Sequence, residues 1–266
     1  MTPARTLQDL SVSRAITAAG PTVGATLHAL SLWRRHGVVV FPSLLTAETV
    51  RSLRGHAQAL LLKVERGAVS TIDRMIDRTA NIRAPAQRAL RALPVSHEVA
   101  EALSQLSATV LWPFLEAALQ AERLLLLELG MMRASPGAAA QAWHRDDNVL
   151  DGRISSIQIA LVDTGAQQGA LEVQPSSHTH TEPTDEQAAP SVIVAVPEGT
   201  VTVYSPNVVH RGRANTHTDE RLTLVLTLVS ESGLVPDGIP LAVQAEDAGR
   251  WWLARDGLRD SPHEAF

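Results

Sequence analysis

The sequence predicts a mainly β fold, a sandwich or barrel buttressed by helices from the N-terminal half. Three observations lead there. Apolar residues in the first half recur at intervals of three and four, the helical period. The second half breaks into short, apolar, strand-like runs separated by turn residues. At 45% hydrophobic over 266 residues, the chain can bury a full core, which excludes a disordered or fibrous protein. Aromatic residues are only 3%, so that core rests on Leu, Val, Ile and Ala.

Over Thr22–His36, Val23, Leu27, Leu30 and Trp33 fall on one helical face, and Gly37 stops the helix. Val38-Val39-Val40-Phe41, closed by Pro42, reads as a strand. Thr46 is the expected N-cap of a helix over Ala47–Arg66, with Val50, Leu53 and Leu60-Leu61 on its apolar faces. Residues 67–94 are charged, contain Arg83-Ala84-Pro85, and read as a loop with short helical turns. Ser96–Leu119 reads as a second long helix, kinked or broken by Pro113. Leu124–Met132 is an apolar run ending at Arg133-Ala134-Ser135-Pro136-Gly137. Strands are expected over Ile154–Val162, Gly169–Val173, Ser191–Val196, Thr200–Tyr204 and Leu222–Val229. From Pro236 the tail reads as irregular, docked onto the body by Trp251-Trp252.

Charge and composition narrow the function. With 23 Lys+Arg against 28 Asp+Glu, the net charge is −5, so there is no global basic field for nucleic acid or an anionic membrane. No run approaches the roughly 18 apolar residues of a membrane span. Met1–Gly20 mixes Arg5, Asp9 and Arg14 with apolar residues and lacks the order of a secretory signal. A cytoplasmic protein with no membrane and no nucleic-acid partner is expected, as a monomer or homodimer. The chain has no cysteine, so any metal must be held by His, Asp or Glu.

Trp143-His144-Arg145-Asp146 carries the first chemical signal. In extended backbone, residues i and i+2 share a face, so His144 and Asp146 point together and Arg145 points away. His210 comes far downstream, just beyond Thr200–Ser205 and Pro206. Two imidazoles and one carboxylate on one side of a metal leave three adjacent coordination positions open, the facial arrangement of non-haem Fe(II) oxygenases. Arg221 then opens the strand Leu222–Val229, and its guanidinium fork suits a dicarboxylate cosubstrate. An isolated H-x-D arises by chance in a chain with ten histidines; the specificity lies in the combination.

These stretches resemble the phytanoyl-CoA dioxygenase family of Fe(II)/2-oxoglutarate-dependent oxygenases, from about Gly37 to Val229. Gly37–Pro42, followed by Leu44-Leu45-Thr46 and a helix, is similar to the family's first strand and first long helix. Trp143-His144-Arg145-Asp146 resembles its W-H-x-D motif. Gly169–His178 resembles its N-G-x-L-x-x-x-P-G-S-H segment, and Gly199 through His210 to Arg221 resembles its closing stretch. Gln168 stands where asparagine is usual, and Ser176 where glycine is usual. Gly212 stands where some relatives carry a serine or threonine that helps bind the cosubstrate.

The resemblance implies a double-stranded β-helix, the jelly roll of cupin-like proteins. One domain over 1–266 is expected: a helical part to about residue 120, a jelly-roll core over about 121–232, and a tail over 233–266. By carry-over, His144, Asp146 and His210 are the iron ligands, and Arg221 meets the distal carboxylate of 2-oxoglutarate. Gln141 matches a glutamine that some members use near the cosubstrate's metal-proximal end, and Thr223 is a candidate for the hydroxyl missing at Gly212. The implied cofactors are Fe(II), 2-oxoglutarate and O₂, with ascorbate as a candidate reductant. Because Asp146 is present, hydroxylation, desaturation, epoxidation or cyclisation is favoured over halogenation. A small-molecule substrate from secondary metabolism is expected, since the lysine-poor chain shows no evident cluster for the phosphates of CoA. The alternatives are a cupin-like protein holding another metal, for which Arg221 has no purpose, and a non-catalytic scaffold.

Other polar residues have simpler readings. Asp147 would face away from Asp146, in a solvated or capping role. His178 and His180 show H-x-H spacing but sit in a turn segment, where hydrogen bonding is expected. His217 reads as an exposed loop residue. Arg133 reads as a surface ion-pair residue or a pocket residue, and Arg145 as an ion-pair residue. Glu128, inside an apolar run, stands either near the site or on a sheet edge, while Tyr204 and Met131-Met132 read as packing residues.

Overall fold

The computed structural model describes residues 6–13, 21–65, 87–146, 153–179, 189–232, 247 and 249–260. Among them are the helices α1 (Val23–His36), α2 (Ala47–Glu65), α3 (His97–Ser107) and α4 (Leu111–Leu119). The strands are β1 (Val38–Phe41), β2 (Arg88–Ala92), β3 (Arg123–Ala134), β4 (Ile154–Ala160), β5 (Leu171–Val173) and β6 (Val192–Val194). They continue with β7 (Val201–Tyr204), β8 (His210–Gly212), β9 (Arg221–Ser230), β10 (Trp251–Ala254) and β11 (Gly257–Asp260). The larger sheet runs β1-β7-β4-β9-β3-β10-β11 with β2 also paired to β3, and the smaller runs β6-β5-β8.

Alternation along β9 sets the layout, because successive strand residues face opposite sides. Leu222, Leu224, Leu226 and Leu228 join Leu53, Leu103, Trp112 and Phe114 from three helices in the main core. Each such burial contributes about 1.5–3 kcal/mol. Arg221, Thr223 and Thr227 therefore occupy the opposite face. Cross-strand register places Val38, Tyr204, Ser156 and Thr227 in one row on that face. There Val38 and Tyr204 pack with Leu171, Val173 and Val194 of the smaller sheet. A polar-lined space between two sheets follows, with helices covering the other side of the larger one.

α1 starts and stops as expected. The Thr22 side chain accepts from Ala25 N, and Gly37 closes the helix at φ 70 with its N–H on Trp33 O. Its buried face is turned from the expected one. Ala25, Ala29, Leu30 and Trp33 are buried, while Val23 and Leu27 are 76% and 61% exposed. The small alanines allow close approach, and Trp33 meets Phe114 of α4 edge-on with ring centres 5.9 Å apart. Thr46 caps α2 through its hydroxyl, which accepts from Thr49 N at 3.2 Å.

Three expectations are corrected. The break expected in Ser96–Leu119 is present but lies at residues 108–110, ahead of Pro113, leaving two helices. Pro113 lies in the first turn of α4, where its missing N–H would have no intrahelical acceptor. Within the stretch read as a loop with helical turns, Arg88–Ala92 is a strand paired with β3 from Arg88↔Ala134 to Ala92↔Gly130; residues 67–86 lie outside the described residues. Arg, Ala and Leu favour helix locally, but the edge of β3 supplies hydrogen bonds that override the preference. The tail, read as irregular, contains the hairpin β10–β11, and β10 pairs with β3 through Trp252↔Leu125. Trp252 docks it as expected, against Leu125, Leu127, Ile154 and Val229.

Candidate active site

His144 and His210 face each other across an isolated antiparallel bridge, each backbone N–H donating to the other's carbonyl at 3.0 and 2.9 Å. The short strand β8, not expected from the sequence, carries His210 on the smaller sheet. Asp146 is drawn in by its own N–H on Pro206 O at 2.9 Å and by Ser156 Oγ, 3.5 Å from Asp146 Oδ2. His144 Nε2 and His210 Nε2 lie 3.7 and 3.5 Å from Asp146 Oδ1. One ligand atom from each residue lies within 4.8 Å of the others. The three residues far apart in sequence thus converge as expected.

The donor set fits a divalent ion. His144 Nδ1 lies 2.9 Å from Ala142 O, and His210 Nδ1 lies 2.8 Å from Val208 O. A carbonyl only accepts, so each Nδ1 carries the hydrogen and each Nε2 is left to bind metal. Neighbouring ligand atoms of one metal stand about 3 Å apart; the two imidazole–carboxylate distances are within an ångström of that, and all three ligand atoms lie within 4.8 Å. For His144, burial and the neighbouring His210 lower the pKa. For His210, burial works downward, but the Asp146 carboxylate and its hydrogen bond win and raise it. Metal binding would displace that shared proton.

Arg221 is buried and held on three sides. Its Nε donates to Thr223 Oγ1 at 2.9 Å, Nη1 to Gly169 O at 2.9 Å, and Nη2 to Gln158 Oε1 at 2.7 Å. Thr223 therefore fixes the guanidinium. Two of the five N–H groups stay uncommitted among the described residues. Burial first, and the charge of Arg88 second, lower the Arg221 pKa to about 10. Gln158, which Arg221 reaches, and Ser156, which reaches Asp146, are two residues apart on β4. That step is about 7 Å along the strand. Gln141 Oε1 accepts from Gly212 N at 2.8 Å, beside the same space.

Two features escaped the sequence reading. Arg88 is 8% exposed and donates from Nε to Ala139 O and from Nη2 to Arg213 O. Burial lowers its pKa to about 10. Its signal was hidden in a stretch that looks helical. The second is the setting of Glu128. Its carboxylate accepts from Thr227 Oγ1 at 2.7 Å, in the row Glu128–Thr227–Ser156–Tyr204 that runs beside Asp146. Burial, and to a lesser degree the charge of Asp146, raises its pKa to about 7 against the pull of the Thr227 hydrogen bond. Of the two readings of Glu128, the site is the one the structure supports.

The remaining candidates serve structure. Tyr204 is buried with its ring centre 4.9 Å from that of His210. Arg145 points away from the trio and donates to the carbonyls of Ser177 and Asn207. Arg133 Nε lies 4.0 Å from Glu220 Oε2. His217 is exposed. Ser176, at the usual glycine position, adopts φ 73 and donates its hydroxyl to Arg35 O. Asp147 and His180 lie outside the described residues.

A two-sheet antiparallel fold with a His-Asp-His trio between the sheets is the scaffold of a cupin-like metal-dependent oxygenase. The sequence model of the phytanoyl-CoA dioxygenase (PhyH) family matches residues 33–223, and the chain belongs to that family. It is accordingly an enzyme of the Fe(II)/2-oxoglutarate-dependent oxygenases. No curated protein sequence matches it. Among solved structures it is similar to the non-heme alpha ketoglutarate dependent epimerase SnoN from nogalamycin biosynthesis. That match has 19% identity and a TM-score of 0.63, covering 79% of this chain and 85% of that one. It is similar to AviO1 from Streptomyces viridochromogenes Tue57 at 21% identity, covering 79% and 96%, with a TM-score of 0.63. SnoN also appears in complex with Fe3+, alpha ketoglutarate and nogalamycin RO, at 20% identity over 79% and 86%, with a TM-score of 0.55. These likenesses establish the fold. The family and the trio together support iron and 2-oxoglutarate as metal and cosubstrate. Among the described residues, no helix is long and apolar enough to cross a membrane.

Proposed function

We propose that the chain, as one catalytic unit over 1–266, oxidises a small molecule of secondary metabolism while converting 2-oxoglutarate to succinate. One observation carries this reading: His144, Asp146 and His210 bring three ligand atoms within 4.8 Å, with both Nδ1 atoms tied to main-chain carbonyls. Hydroxylation, desaturation, epoxidation and cyclisation are the reactions that fit, because Asp146 occupies the position a halide would need. The epimerase and nogalamycin-bound neighbours support a small-molecule substrate of this kind.

Each residue has a task. His144 and His210 present Nε2 lone pairs, and Asp146 supplies the single negative charge of the donor set. Arg221, fixed by Gln158, Gly169 and Thr223, offers its remaining N–H groups to the distal carboxylate of the oxo acid without reorganising. Gln141 fixes the Gly212 backbone beside that carboxylate. When bound, iron(II) and 2-oxoglutarate supply with O₂ the oxidising chemistry, decarboxylating the oxo acid and oxidising the substrate, with ascorbate as reductant. His210 and Arg221 are shielded from bulk water between the sheets, while Asp146 stays open to it.

The test is anaerobic reconstitution. The protein should bind one Fe(II) and develop a visible charge-transfer band on adding 2-oxoglutarate. His144→Ala and Asp146→Ala should abolish the band and turnover, while Arg221→Ala should mainly raise the 2-oxoglutarate concentration required. No band, together with no succinate under O₂, would sink the reading.

A further inference from the structure

Arg88 is a buried cation without a buried anion. Its Nη1 has no hydrogen-bond partner, although the residue is more than nine-tenths buried. Among the described residues no carboxylate pairs with it or with Arg221. The register Arg88↔Ala134↔Arg221 sets both arginines in one row on the same face, on either side of a small residue. Their Cα atoms are thus about 10 Å apart, and the charge of Arg88 acts on Arg221. Two buried like charges and an orphaned donor are costly unless an anion joins them.

Gly212 shows where that anion belongs. A Cβ on residue 212 would stand 2.6 Å from Arg88 Nη1 and 2.7 Å from Gln141 Oε1. The guanidinium therefore fills the room that a side chain at 212 would take, two residues after His210. Glycine is needed there for close approach and not for φ. Arg88 cannot withdraw easily, because Nε and Nη2 are pinned to the carbonyls of Ala139 and Arg213.

We propose that Arg88 is a second basic anchor for 2-oxoglutarate, donating from Nη1 to the distal carboxylate that Arg221 also binds. This rests on the oxygenase reading above. In this chain a guanidinium from β2 takes the place of a hydroxyl on residue 212, and Gly212 is the condition for it.

The experiment compares two ligands on the Fe(II)-loaded protein without O₂, following the charge-transfer band and, in parallel, heat on binding. One ligand is 2-oxoglutarate. The other is 2-oxopentanoate, which keeps the chelating end and lacks the distal carboxylate. Arg88→Gln should weaken 2-oxoglutarate by about tenfold or more while leaving 2-oxopentanoate and Fe(II) affinity unchanged. Gly212→Ala, whose backbone tolerates a side chain, should weaken 2-oxoglutarate selectively by displacing the guanidinium, and serves if Arg88→Gln does not fold. Equal loss for both ligands makes Arg88 merely structural and overturns the proposal, as does unchanged 2-oxoglutarate binding. If the wild-type protein binds no 2-oxoglutarate, the oxygenase reading falls with it.

Discussion

Glu128→Gln tests how the interior treats an acid with no cationic partner among the described residues. In the folded chain the Glu128 carboxyl has its pKa raised from 4.5 to about 7, by burial and by the charge of Asp146. A raised acid pKa means the fold favours the protonated form. Its contribution is complete below the unfolded value and is lost as pH rises through about 7. At about 1.4 kcal/mol per tenfold, linkage gives a penalty at pH 8 that exceeds the one at pH 5 by at most about 2.5 kcal/mol. Glutamine cannot ionise, and its carbonyl still accepts from Thr227 Oγ1. The variant should therefore gain on the wild type by about 2 kcal/mol between pH 5 and pH 8, or roughly 4–8 °C in Tm for a domain of this size. Denaturation of both metal-free proteins in EDTA at several pH values measures the difference, and contributions common to both cancel. Parallel stability curves would refute the reasoning, and so would a gain at acid pH.

Gln158→Leu removes the acceptor of Arg221 Nη2 at 2.7 Å. It should cost about 1.5–3 kcal/mol in denaturation and loosen 2-oxoglutarate in the anaerobic titration, with Fe(II) binding intact. Gly37→Ala forces a side chain into φ +70 and places Cβ 2.5 Å from His178 Nδ1 and 2.7 Å from Val208. Strain and overpacking together should cost about 2 kcal/mol or more, read from urea unfolding. Asp247 accepts from Val95 N at 3.1 Å and Trp251 Nε1 at 2.7 Å, tying the β10–β11 hairpin to the chain ahead of α3. Asp247→Ala should cost about 2 kcal/mol and speed amide exchange over β10 and β11 while sparing β9.

The convergence of His144, Asp146 and His210 could be read from sequence because metal chemistry restricts both residue type and spacing. His144-x-Asp146 shares a face by the strand period alone, and few residue types bind a ferrous ion. Arg88 could not be read, since its meaning depends on register: nothing in Arg88-Ala89-Leu90-Arg91-Ala92 says that Ala134 will lie opposite it. Glu128 was conspicuous as an acid in an apolar run, but its partner Thr227 is 99 residues away. The helix-forming letters of β2 and the four-residue strands of the tail lacked a long enough pattern to outweigh local preference. On α1, Val23 and Leu27 carried the apolar signal, but Ala25 and Ala29 made the contact, because close packing selects small residues over greasy ones.

Strand pairing also links the two halves of the candidate site through the larger sheet. β4 and β9 together place Ser156 beside Thr227 and Gln158 beside Val225. Ser156 reaches Asp146, and Gln158 reaches Arg221. The two side chains that reach Asp146 and Arg221 are thus one two-residue step apart on a single strand. A slip of one residue in β4 would carry both side chains to the helix-covered face. The isoleucines of β4 oppose such a slip, because it would carry Ile157 and Ile159 out of the main core. The same alternation that buries Ile157 and Ile159 therefore keeps Ser156 and Gln158 turned toward Asp146 and Arg221.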